Sequence, residues 1–95
     1  MSYTLEVQPP AEKDFDGLPR EVQAQVAARL RALCEDPRPP GTVPVKNAPK
    51  GCYRSRVGDY RIGYHVDDKG RHISVWGIAT RGTFYKVAER RALLT

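Results

Sequence analysis

The dipeptide Gly58-Asp59 constrains this chain more than any other feature, because it joins two runs that alternate as half-buried strands do, Gly51 to Val57 and Tyr60 to Asp67. A two-residue turn leaves no freedom in the pairing. Val57 then faces Tyr60, Arg56 faces Arg61, Arg54 faces Gly63 and Cys52 faces His65, with opposed residues pointing to the same side. One side carries Tyr53, Val57, Tyr60, Ile62, Tyr64 and Val66, the pattern of a core face. The other gathers Arg54, Arg56 and Arg61 with no acidic neighbour on that side. Charged residues on a wet sheet face are the ordinary alternative, but like charges at directly opposed positions are mildly destabilising without an anion between them. A planar guanidinium can hold two oxygens of a phosphate and keeps its charge at any physiological pH, so the pattern points to a phosphate-binding surface.

A third run, His72 to Thr80, follows the turn signal Asp68-Lys69-Gly70 and completes an antiparallel meander. A three-residue loop with Gly70 left-handed sets Ser74, Trp76 and Ile78 with the core and Ile73, Val75, Gly77 and Ala79 on the arginine side. A four-residue loop inverts that assignment, and both stay open. In the first register Arg81 continues on the arginine side, with Tyr85 about one helical turn later. Tyr85 beside a basic face can stack on an exposed base, or it can serve, like Phe84, as an apolar anchor for the terminal segment. Histidine is the side chain suited to carrying protons near neutral pH, so His65 and His72 read either as proton carriers or as solvated strand residues.

Ahead of the meander, Tyr3 to Gln8 reads as a strand and Pro10 to Leu18 as a short helix. Arg20 to Asp36 is the clearest helix, with Val22, Val26, Leu30 and Leu33 in one stripe widened by Ala27 and Cys34, and with Gln23, Gln25, Arg29 and Arg31 on the wet side. Five prolines in the thirteen residues from Pro37 to Pro49 require an extended connector. Gly82 to Thr95 suits a modest terminal helix. The expected fold is α+β in a single domain over residues 1–95: a small, antiparallel-rich sheet in the order β-α-α-β-β-β, an N-terminal helical hairpin on one face and a short C-terminal helix. The other face is left to solvent or a ligand.

The net charge of +5 is unevenly spread. Residues 1–45 hold five Lys/Arg against seven Asp/Glu, whereas residues 46–95 hold eleven against four, so the C-terminal half is +7 and suits a polyanion partner. Two cysteines, Cys34 and Cys52, are too few for a disulfide scaffold and are expected to be buried and reduced. With two histidines no zinc spacing appears, and neither a metal nor a cofactor is expected. No apolar stretch is long enough for a membrane span or suited to a signal peptide, so no membrane partner and a cytoplasmic location are expected.

The series Cys52-Tyr-Arg-Ser-Arg56, Gly58-Asp-Tyr-Arg-Ile-Gly-Tyr64, Trp76-Gly-Ile-Ala-Thr-Arg81 and Tyr85 resembles the RelE toxins of bacterial and archaeal toxin-antitoxin systems, within the RelE/ParE superfamily. The likeness runs over nearly the whole chain. It implies an mRNA interferase, an endoribonuclease that cuts messenger RNA in the ribosomal A site without metal. The RNA 2′-hydroxyl is the nucleophile, and a 2′,3′-cyclic phosphate remains. By position, Arg54 and Arg56 match a basic pair that is typically lysine, Arg61 an arginine stabilising the phosphorane-like state, Arg81 an acid or charge stabiliser at the leaving oxygen, and Tyr85 a tyrosine that stacks on the substrate. Arginine keeps its proton at any physiological pH and is a poor base, so Arg54 and Arg56 read as electrostatic residues. The proton acceptor is then Tyr85, Lys86, His65, a ribosomal group or none, if the positive site lowers the hydroxyl's own pKa. The implied partners are a cognate antitoxin, able to cover the basic face or displace the terminal helix, and the ribosome with its message. A ParE-like toxin that blocks DNA gyrase without nuclease activity and a catalytically silent RNA-binding module remain alternatives.

Overall fold

The computed structural model describes residues 2–92. In chain order its elements are β1 (Thr4–Val7), α1 (Pro9–Asp16), α2 (Arg20–Glu35), β2 (Val43–Pro44), β3 (Cys52–Val57), β4 (Tyr60–Asp67), β5 (His72–Thr80) and α3 (Phe84–Arg91). The strands form one mixed sheet in the order β1-β5-β4-β3-β2, with β1 parallel to β5 and the remaining pairs antiparallel. This is the expected α+β fold with its N-terminal helical hairpin. Of the terminal helix expected over Gly82 to Thr95, Phe84–Arg91 is helical and residues 93–95 lie outside the described residues.

Helix α1 begins on Pro9 and Pro10, where a fixed φ suits the first turn and the missing N–H has no helical partner to lose. Its Ala11, with Val26 and Leu33 of α2, packs on Ile62, Tyr64, Val66, Ile73, Val75 and Ile78 to make the principal core on one face of the sheet. Arg29 does not stay on the wet side of α2 as the periodicity suggests. Its Nη1 donates to Ser55 Oγ at 2.5 Å and to the Arg56 carbonyl at 3.0 Å, tying α2 to β3. A serine inside an otherwise apolar strand face supplied the buried acceptor that drew it in.

The proline-rich connector is anchored at its start. The buried Tyr64 hydroxyl donates to the Pro37 carbonyl at 2.7 Å, and Arg38 pairs with Asp68 at 2.8 Å while lying 5.7 Å from the Tyr53 ring centre. The chain then turns at Gly41 (φ 91°) and adds β2 to the sheet edge, with Val43 opposite Arg54. An edge tolerates Pro44 because one side of an edge strand needs no donor.

The hairpin register is the one the two-residue turn demands: Cys52 opposes His65, Arg54 opposes Gly63, Arg56 opposes Arg61, and Gly58 is left-handed at φ 58°. The next hairpin follows neither of the two simple registers. Asp67 pairs with His72, so the loop has four residues, and Arg71 rather than Gly70 takes the positive φ, 52°. Ile73 and Val75 therefore enter the principal core. The register then shifts between Gly63 and Tyr64, because Tyr64 opposes Val75 while Gly63 opposes Gly77, leaving Trp76 as the extra residue of a bulge. Beyond it Ile78 returns to the principal core and Ala79 opposes Arg61, as the three-residue loop would have had them. Ser74 and Trp76 leave the core face.

The second sheet face is not left open. Phe84, Val87, Ala88 and Ala92 of the α3 region form a smaller cluster there with Val45, Cys52, Trp76 and Ala79. Eight residues are too few for a helix stable by itself, so this packing is what holds α3. Cys34 and Cys52 are free thiols, the first half-buried and the second buried. Among the described residues no helix is long and apolar enough to cross a membrane, and no three His, Cys, Asp or Glu residues gather as metal ligands do.

Candidate phosphate-binding site

Strands β3 and β4 bring Arg54, Arg56 and Arg61 to the uncovered end of the second face, and the turn after β5 adds Arg81. With Gly41, Phe84 and Tyr85 these arginines line a cavity of about 500 Å³. Arg61 is 7% exposed, and its Nη1 reaches the Gly58 carbonyl at 3.3 Å and the Tyr60 carbonyl at 3.1 Å. Arg56 Nε reaches the same Gly58 carbonyl at 3.3 Å, so one turn oxygen orients both opposed guanidiniums. Among the described residues none of the four arginines is ion-paired with a carboxylate. Burial, then the charges of Arg56, Arg54 and Arg81, push the Arg61 pKa below its ordinary value, and Asp59 opposes them only as the smallest influence. The cavity is thus a concentrated positive field that a bound oxyanion would relieve.

Tyr85 is 56% exposed at the rim, held edge-on against Phe84 at 5.7 Å and 80°. Phe84 in turn lies 5.6 Å from Trp76 in the second cluster. The exposed ring of Tyr85 is therefore backed by a buried aromatic pair and is accessible to a planar ligand. The sequence does not point to Gly41 as a lining residue and points to Phe84 only as an anchor, yet both line the cavity. The turn chemistry of Pro39-Pro40-Gly41 was visible in the sequence, but not that the connector crosses this end of the sheet.

The other residues considered for proton transfer lie elsewhere. His65 lines a separate cavity of about 410 Å³ with Cys52, Ser74, Trp76 and Arg91. His72 sits at the β1–β5 edge, its Nδ1 2.7 Å from Thr4 Oγ1 and its Nε2 3.5 Å from Glu6. Lys86 is exposed on α3 and does not line the arginine cavity. Of the side chains considered as bases, Tyr85 alone lines the cavity.

Residues 5–83 match the family model described as the ParE toxin of type II toxin-antitoxin systems, parDE. The chain belongs to this toxin family. A curated relative, Toxin RelE of Mycobacterium tuberculosis (strain ATCC 25618 / H37Rv), is 29% identical over 86 residues, covering 90% of this chain and 88% of the relative. The toxin-antitoxin complex RelBE2 of Mycobacterium tuberculosis contains a chain that superposes with a TM-score of 0.75 at 24% identity, covering 85% of this chain and 100% of that one. A chain of the intact E. coli RelBE toxin-antitoxin complex does so with a TM-score of 0.73 at 25% identity, covering 83% and 96%. Within the RelE/ParE superfamily the toxin is of the RelE type.

Proposed function

We propose that this toxin is a ribosome-dependent endoribonuclease that cleaves messenger RNA in the A site, and that Arg54, Arg56, Arg61, Arg81 and Tyr85 form its active site. The observation that carries the reading is the meeting of four guanidiniums, none ion-paired with a carboxylate among the described residues, and one exposed tyrosine around a single cavity of about 500 Å³. Attack of the 2′-oxygen on phosphorus forms the O2′–P bond, breaks P–O5′ and passes through a phosphorane with extra negative charge. Arg61, oriented in advance by two carbonyls, stabilises that charge in this reading, a contribution that is the largest single term in many such reactions. Arg54 and Arg56 add charge from β3. Arg81 serves the departing 5′-oxygen, which leaves with a proton, and Tyr85 stacks on a base beside the scissile bond. The proton lost from the 2′-hydroxyl goes to the phenolate form of Tyr85 or to a ribosomal group, the 5′-oxygen takes its proton from Arg81 or from water, and the products are a 2′,3′-cyclic phosphate and a 5′-hydroxyl. Because orientation by the ribosome supplies much of the barrier reduction, cleavage of free RNA is slow or absent.

The toxin's physiological partner in this reading is a cognate antitoxin, consistent with the RelBE complexes whose toxin chains share its fold. Primer extension on translating messages tests the activity: cuts at fixed codon positions are expected. Arg61→Ala and Arg81→Ala should each lower cleavage by at least about tenfold with folding nearly unchanged. Intact messages accompanied by gyrase trapped on broken DNA would replace this reading with a gyrase-blocking one.

A further inference from the structure

One carboxylate outside the cavity holds both flanks of the site. Asp14 Oδ2, near the end of α1, accepts the Ile78 N–H of β5 at 3.0 Å and Nη1 of Arg91 on α3 at 2.6 Å. Arg91 Nη2 lies 3.4 Å from Asp14 Oδ1, and Nη1 also donates to the Trp76 carbonyl at 3.2 Å. The pair is well shielded, with side-chain exposures of 24% for Arg91 and 21% for Asp14. It spans the β5 bulge at Trp76, and an added Cβ on the next residue, Gly77, would lie 2.8 Å from Val87 and 3.4 Å from Arg91.

Arg81 stands on the short connection between β5 and α3, and Tyr85 on the first turn of α3. That connection is closed by the Thr83 N–H on the Thr80 carbonyl at 3.1 Å and by the two threonine hydroxyls at 2.9 Å. Its incoming arm, β5, is held at Ile78 and its outgoing arm, α3, at Arg91, both by Asp14. Because α3 has only eight residues, it depends on such contacts for its seat. Tyr85 lies six residues before Arg91, about 9 Å along the helix, so a small tilt at the held end moves the ring at the other.

We infer that Asp14 and Arg91 are positioning residues: their ion pair across the β5 bulge fixes the seat of α3 and thereby the placement of Tyr85 and Arg81 in the arginine cavity. The catalytic consequence rests on the proposed RNA cleavage, while the structural one does not. Trp76 is the single tryptophan of the chain and packs against Phe84, so its fluorescence reads the seat of α3 directly. Asp14→Asn keeps an acceptor for the Ile78 N–H but removes the charge, and Arg91→Gln removes the partner.

In the full-length toxin both variants should shift Trp76 emission to the red and make it easier to quench with acrylamide at temperatures where the chain remains folded. Both should lower kcat/KM for ribosome-bound message about tenfold, chiefly through KM, since the misplaced ring is the one that holds a base. Arg91→Lys, which retains the charge, should recover most of both signals. Leu33→Ala, in the core on the opposite face, provides a destabilised control and should change neither. Wild-type emission and wild-type kinetics in Asp14→Asn and Arg91→Gln would overturn the inference. So would the same spectral and kinetic changes in Leu33→Ala at a matched loss of stability. If the wild-type toxin leaves messages intact, the proposed function fails alone, and the emission still decides whether the pair seats α3.

Discussion

Replacing Gly63 by alanine drives a methyl group into the indole of Trp76, whose outer-ring atoms Cη2, Cζ3 and Cζ2 all lie within 2.6 Å of the position an added Cβ would take. Ordinary contact begins near 3.4 Å, so the ring must retreat by about 1 Å, and Phe84 lies directly beside it. Overpacking of this kind costs about 1–3 kcal/mol, and the loss of glycine freedom in the unfolded chain returns about 0.4–1 kcal/mol. The net destabilisation is about 1–2 kcal/mol, which in a chain of this size lowers Tm by about 4–16 °C. Thermal and urea unfolding followed by circular dichroism would measure it. Gly82→Ala is the control, since an added Cβ there meets nothing within 4 Å and its effect should stay within about 0.5 kcal/mol. Trp76→Phe removes the outer ring, so the double variant should cost less than the sum of the single ones by about 1 kcal/mol. An unchanged Tm in Gly63→Ala, or strict additivity in the double variant, would refute the reasoning that a glycine is needed under the bulged tryptophan.

Two further outcomes test the electrostatics. The hydrogen bond from Tyr3, then that from Arg38 and its charge, hold the Asp68 carboxyl below its usual range. Its stabilising contribution is present above the unfolded pKa and disappears as pH falls through the folded one, so the Tm advantage of wild type over Asp68→Asn should shrink below about pH 4. A difference that stays constant down to pH 2 would contradict this. In the cavity, each guanidinium that neutralises a phosphate adds to the salt dependence of binding, so Arg56→Ala should reduce the slope of log K against log salt for a short single-stranded RNA by about 0.7. Fluorescence anisotropy measures that slope, and an unaltered value would remove Arg56 from the phosphate contacts.

Much of the arginine cavity was legible because strand side chains alternate with a period of two and the Gly58-Asp59 turn admits one register. Local geometry therefore determined that Arg54, Arg56 and Arg61 share a face, and the apolar stripe of α2 determined which side of that helix enters the core. The path of β5 was not legible. Its loop length was ambiguous, and the bulge at Trp76 lets each simple register hold over part of the strand, a compromise made possible by Gly63 beneath the indole. Phe84's apolar character announced burial but not that α3 would roof the second face. Nothing local announced that Asp14 would meet Arg91, 77 positions later. Turn and strand geometry act between neighbours and can be read from neighbouring residues. A shared carboxylate, a roofing helix and a cavity rim arise only when segments distant in the chain compete for the same space, and only the tertiary structure decides that competition.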